Sequence, residues 1–164
     1  MTGSPTGDVT GGTVPTPLTD RLCALAREAG PRFPAPRGFT AGEAVVLADR
    51  PDGTVVGFGG VVAKAHPPGT GVDTDVDELT VRLRIAAHPR LAGILLPPLV
   101  PGGIPASAPA EVTALRLACG RLATLWPRGT AVAKDAPEDA PWQASGALLA
   151  RLHSVPPDVL TDAM

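Results

Sequence analysis

Chemistry in this chain starts at Lys64, in the run Val61-Val62-Ala63-Lys64-Ala65-His66. The chain has fourteen basic residues, and only Lys64 and Lys134 are lysines. An ammonium on a rigid, apolar, strand-like stretch can hydrogen-bond to phosphate oxygens, at roughly 1.5–3 kcal/mol net per charge-assisted bond. The competing reading is a surface lysine at a strand end. Fourteen residues on stands Glu78. It lies four residues before Arg82, a helical i,i+4 pair worth about 0.2–0.5 kcal/mol if exposed. It also stacks over Val81 and Ile85, along an apolar edge of its helix. Other chemistries find no support. There is no Gly-x-Ser-x-Gly and no Walker A run. His66, His88 and His153 stand singly, without Cys or Asp partners at ligand spacing, so no metal site is expected. Cys23 and Cys119 have no ligand spacing either, and are expected as two buried thiols rather than a disulfide.

Composition narrows the classes. At 164 residues the chain holds one ordinary domain. Apolar residues make up 44% and aromatics only 3%, so the core must be built from Leu, Val and Ala. A formal net charge of -2, with arginines scattered singly among carboxylates, argues against nucleic acid as a partner. No apolar run reaches eighteen residues, so no membrane span is expected. The first sixteen residues lack the basic start and apolar core of a secretory signal. A cytoplasmic location is the default expectation.

The elements that must position Lys64 follow from periodicity. Residues 1–17 read as a disordered tail. Residues 18–29 read as a helix with Leu18, Leu22, Leu25 and Ala29 on one face, stopped by Gly30-Pro31. Residues 44–49 and 54–64 read as a hairpin joined by the Arg50-Pro51-Asp52-Gly53 turn, with Gly57, Gly59 and Gly60 as a bulge or close approach in the second arm. Residues 74–88 read as a helix, with Thr74 as N-cap and Asp77 completing a capping box. Ile94-Leu95-Leu96 reads as a short buried segment, and residues 101–109 as a flexible link. Residues 112–117 and 121–126 read as a second hairpin around Cys119-Gly120. Residues 142–153 read as a helix whose apolar side is Ala144, Leu148, Leu149 and Leu152. The fold class expected is α+β, a small sheet of about five antiparallel strands with the 74–88 helix packed against it.

This order, with its motifs, resembles the N-terminal lobe of the aminoglycoside phosphotransferase family, kinase-like enzymes that phosphorylate small-molecule hydroxyls. Val62-Ala63-Lys64 matches that family's lysine strand and Glu78 its helical acid. Trp126-Pro127-Arg128-Gly129 matches its hinge. Leu149-Ala150-Arg151-Leu152-His153 matches the helix leading into its C-terminal lobe. The resemblance spans residues 18–156. It implies a kinase-like N-lobe over residues 18–134, a linker and helix over 135–156, and a tail over 157–164. It implies ATP with Mg as cofactor, held by Lys64, with Glu78 pairing with Lys64 and aiming it. Backbone groups from Leu125 through Trp126, Arg128 and Gly129 would read the adenine edge, and Val45, Ala63 and Leu125 would line the base. Pro127 has no N–H to offer. The phosphate-covering loop would fall at residues 38–43, with Gly38 and Gly42 but no Gly-x-Gly-x-x-Gly run.

The same resemblance sets a limit. The family's His-x-Asp loop and metal-binding Asn and Asp belong to the C-terminal lobe, and this sequence has no asparagine. No catalytic residue is therefore assigned. The expectation is a lobe of a small-molecule kinase that binds Mg-ATP weakly or not at all by itself and transfers no phosphate alone. It would be a fragment or half of a split enzyme, completed by a separate C-terminal lobe, or self-associating through residues 148–152 and the surroundings of Trp126. Two alternatives remain: a non-catalytic protein-interaction module that keeps the lobe fold, and an unrelated small α+β protein.

Overall fold

The computed structural model describes residues 17–34, 36, 42–69, 74–158 and 161. The expected disordered tail, Gly38 of the covering loop and the last residues lie outside them, as do the side chains of Thr74 and its neighbours that would show the capping box.

The chain is α+β, with a seven-stranded sheet whose paired strands all run antiparallel. Helix α1 (Leu18–Ala29) is followed by a single 3-10 turn and then by strands β1 (Val45–Arg50), β2 (Gly53–Phe58) and β3 (Val61–Ala65). Helix α2 (Thr74–Ala86) comes next, then β4 (Leu99–Val100), β5 (Ile104–Pro105), β6 (Leu115–Arg116), β7 (Leu122–Pro127) and helix α3 (Trp142–His153). The sheet order is β1-β2-β3-β7-β4-β5, and β6 shares the outer edge of β7 with β4.

Alternation along the strands divides the sheet into two unlike faces. On one face the cross-strand rows are Thr54–Ala65–Ala123, Val56–Ala63–Leu125 and Phe58–Val61–Pro127. Val56, Val61, Ala63, Ala65, Ala123 and Leu125 are buried there against Leu22, Ala26 and Ala29 of α1. These α1 residues recur at helical spacing, and the small alanines of β3 let the helix lie close to the strand. On the other face the rows are Val55–Lys64–Thr124 and Gly57–Val62–Trp126. A second cluster covers only part of this face: Leu83 and Ala87 of α2 with Ala106 and Val112, against Val100, Ala114 and Trp126. Among the described residues no such cluster covers the β1–β3 end of the face.

Several expectations are corrected. The run of residues 54–64 is two strands, not one. Phe58 pairs with Val61 across Gly59-Gly60, so these two glycines form a two-residue turn rather than a bulge; the expected close approach is found at Gly60, where a Cβ would lie 2.7 Å from Phe33 Cβ, and at Gly57, where it would lie 2.9 Å from the Arg128 guanidinium. The irregularity lies in β1, between Val46 and Ala48. The stretch expected as a link, residues 101–109, carries β5, which pairs with β4 just before it. Ile94 and Leu95 are only half-buried and Leu96 is exposed, because this triplet follows a 3-10 turn at Pro89–Leu91 and enters no sheet. Both cysteines are free, but Cys23 is only half-buried and Cys119 is exposed at the tip of the β6–β7 hairpin. Helix α3 occupies the residues expected, yet Trp142, Leu148 and Leu149 are exposed.

Candidate functional site

Lys64 sits in β3, paired with Val55 on one side and Thr124 on the other. Its side chain is half-buried on the face opposite α1. Val62, two residues earlier, and Val55 are half-buried beside it. Leu47 reaches the same face from the bulged part of β1, where a Cβ on Gly57 would meet its Cδ1 at 3.1 Å. The same Cβ would lie 2.9 Å from the Arg128 guanidinium, so the absence of a side chain at Gly57 lets Arg128 fold back across β2. Burial pulls the Arg128 guanidinium below its ordinary value. The Arg128 N–H donates to Gly60 O at 2.7 Å, tying the end of β7 to the β2–β3 turn.

The other expected site residues divide between the two faces. Trp126 shares the Lys64 face and packs under α2. Leu125 and Ala63 do not: their side chains lie in the α1 core, one residue out of phase with Lys64. Val62, Val55 and Leu47 occupy the positions that Ala63 and Leu125 were expected to fill. Val45 pairs with Gly57 on the open face and is exposed. Gly129 is exposed beyond β7. Glu78 lies on α2, but it pairs with Arg82, both side chains exposed, and no ion pair joins it to Lys64 among the described residues. Gly42 takes a φ of +112° just before β1.

Sequence reasoning passed over His66, which the structure places at the centre of a polar cluster. It follows Lys64 by two residues, so alternation carries it to the same side, and its N–H donates to Leu122 O at 2.8 Å. His66 Nε2 lies 3.0 Å from Thr124 Oγ1, which also accepts from Trp126 Nε1 at 3.0 Å. Thr124 is buried. Arg121 Nε donates to His66 O at 2.6 Å, and Arg121 Nη2 is buried without a hydrogen-bond partner among the described residues. Burial first, then the charges of Lys64, Arg121 and Arg82, lower the His66 pKa to about 4. The imidazole is neutral at pH 7. Alternation alone would have placed His66 beside Lys64. Thr124 and Arg121 need the β3–β7 register, which no local signal carries.

Other features lie elsewhere. A cleft of about 310 Å³ is lined by residues that include Ala86, His88, Pro89, Leu95, Ala106 and Ser107, and by none of Lys64, His66, Thr124 or Trp126. Arg151 Nη1 donates to Gly93 O at 3.1 Å and Arg90 meets Asp158 at 3.1 Å, fixing α3 and the residues after it near that cleft. Among the described residues no group of three or more His, Cys, Asp or Glu could hold a metal ion, and no step is assigned to magnesium. No helix of the described residues is long and apolar enough to cross a membrane. Comparison with family models, with curated proteins and with solved structures gives no match for this chain.

Proposed function

We propose that this chain is the nucleotide-binding lobe of a small-molecule phosphotransferase of the aminoglycoside-kinase type, inactive by itself. One observation carries the reading. The single lysine of the sheet sits on its half-open apolar face, between Val55 and Thr124 and beside Val62 and Trp126, while α1 seals the opposite face. A nucleotide needs both halves of such a surface: apolar side chains for the base and a fixed cation for the phosphates. The order of elements agrees with it, since a three-strand meander ending in Lys64 leads to a helix on the same face and then to the neighbouring strand ending in Trp126-Pro127. Transfer requires metal ligands and a base that a complementary lobe would supply, either in the same polypeptide or in a partner.

Among the described residues Glu78 pairs with Arg82 rather than with Lys64. The test compares ATP with adenosine. ATP is expected to bind more tightly than adenosine, and Lys64→Ala is expected to erase that advantage while adenosine binding persists. An advantage that survives Lys64→Ala would overturn the reading. A second reading, a protein-interaction module, draws on the exposed Trp142, Leu148 and Leu149 of α3. It is supported if neither ligand binds and the chain self-associates, and removed if L149S leaves association unchanged.

A further inference from the structure

We propose that two copies of this chain associate through α3, as an antiparallel pair of helices in which Leu149 of each copy seats over Gly146 of the other. This deepens the interaction reading, on whose exposed α3 face it rests, and requires nothing of the Lys64 face.

Helix α3 is held in place yet buries nothing. None of its 12 residues is buried, and neither hydrophobic cluster includes one of them. A helix of that length is marginal in water unless one face is packed, and a glycine at its middle weakens it further. Polar bonds fix where it lies: Arg151 Nη1 donates to Gly93 O at 3.1 Å, and Trp142 Nε1 donates to Pro137 O at 2.9 Å. Helical phase then puts Arg151 on the side toward Gly93, and Trp142, Gly146, Leu149 and His153 together on the side away from it. Trp142 is 66% exposed and Leu149 53%. Among the described residues nothing requires glycine between them: Gly146 has no positive φ, and a Cβ there would meet nothing within 4 Å. The outward face is thus a dip between two apolar projections, one of them an indole already fixed by its own hydrogen bond, which lessens the ordering cost of docking. Such a face fits a copy of itself run the other way. Leu149 of each copy enters the other's dip, where the missing side chain allows close approach, and Trp142 of each lies against the other's His153. The charges select the same partner and the same orientation. Asp135, Glu138 and Asp139, beside the one lysine Lys134, stand exposed before the N-terminal end, and Arg151 and His153 lie at the C-terminal end. Antiparallel pairing joins unlike charges and unlike helix poles, where parallel pairing would join like ones. One pair of such helices buries less than about 1,200 Å², the range of weak and reversible complexes, so the dimer is expected to exchange and to need high concentration.

Sedimentation equilibrium of the full chain, kept reduced because Cys119 is exposed and taken up to about 1 mM, measures the association. Gly146→Leu decides the geometry. It adds apolar surface and helix propensity, so nonspecific apolar association would grow stronger. The seated pair instead loses its close approach, and association is expected to weaken about tenfold or more. Leu149→Ala is expected to weaken it comparably, and Ala144→Ser, on the side toward Gly93, to leave it unchanged. E138K/D139K is expected to weaken it more at low salt than at high salt. Circular dichroism checks that each variant keeps its helix. A chain that stays monomeric at the highest concentration, or a G146L variant that associates as tightly as the parent, overturns the proposal. The outcomes separate it from the interaction reading. Association that L149S leaves unchanged removes both. Association lost in L149S but kept in G146L removes the antiparallel pair alone. ATP binding by a dimer that G146L disrupts leaves the pair standing and removes only the reading of the chain as a non-catalytic module.

Discussion

Thr124 is the residue through which the site can be tested without touching a charge. It is 3% exposed, and its hydroxyl joins His66 Nε2 and Trp126 Nε1 at 3.0 Å each. Thr124→Val keeps the volume and removes both bonds. Two half-buried polar atoms then lose their partner, at about 1–3 kcal/mol each for full burial, and about 2 kcal/mol together once their partial exposure is allowed for. Thr124→Ser keeps the hydroxyl and loses one buried methyl, at about 1 kcal/mol. The two substitutions therefore rank in opposite orders under the two possible causes. If the hydroxyl holds the cluster, Val is the worse; if packing alone does, Ser is the worse. Urea unfolding followed by tryptophan fluorescence measures the difference, with the Val variant expected to unfold about 1 M earlier than the parent for a slope of about 2 kcal/mol/M. A Ser variant as unstable as the Val variant, or more so, would refute the hydroxyl's role and with it the fixed orientation of His66.

Three further outcomes are expected. The folded pKa of His66, about 4, lies below its ordinary 6.5, so the unfolded chain takes the proton first and this contribution to stability is complete above pH 6.5 and lost as pH falls toward 4. Urea midpoints measured across that window should fall less steeply in H66Q than in the parent. Gly103 has φ +71°, and a Cβ there would lie 2.8 Å from Ala29 Cα, whereas Gly120 has φ +82° with nothing within 4 Å. Gly103→Ala should cost about 2–4 kcal/mol from strain and overlap, and Gly120→Ala about 1–2 kcal/mol from strain alone, by the same unfolding measurement. Bonds from the Ser107 backbone and hydroxyl hold the Glu111 carboxyl below its ordinary value, so Ser107→Ala should raise the Glu111 pKa in a carboxylate NMR titration, the remaining backbone bond keeping part of the effect.

The sequence was most legible where its signals were local. Helix α1 ends where Gly30-Pro31 stops it, and α3 occupies its periodic run, because both are set by residues within a few positions. The β2–β3 turn was misread because Gly59-Gly60 inside a Val-rich run serves a bulge and a turn equally well. Strands β4 and β5 are two residues each, too short for a period of two to show, and β5 carries Pro105. Leu96 is exposed although it closes an apolar triplet, since hydrophobicity without an element to bury it fixes nothing. At the site, the strand of Lys64 was readable, but the face was not: Ala63 and Leu125 were placed beside the ligand and instead pack under α1, a one-residue slip of phase. The Glu78 partner had two candidates in sequence, and the structure pairs it with the one on its own helix, Arg82. Thr124 and Arg121 meet His66 only through the β3–β7 register, set by long-range pairing.

The most direct test of the nucleotide-lobe reading is an amide chemical-shift map of the chain titrated with ATP and, separately, with adenosine. ATP is expected to move the amides of Val55, Val62, Lys64 and His66 and to leave Leu22 and Ala26 of α1 unmoved, while adenosine moves those near Trp126 and Gly129 and spares His66. Shifts concentrated on the α1 side of the sheet, or a map for ATP no different from that for adenosine, would contradict the assignment of Lys64 and its face to nucleotide phosphates.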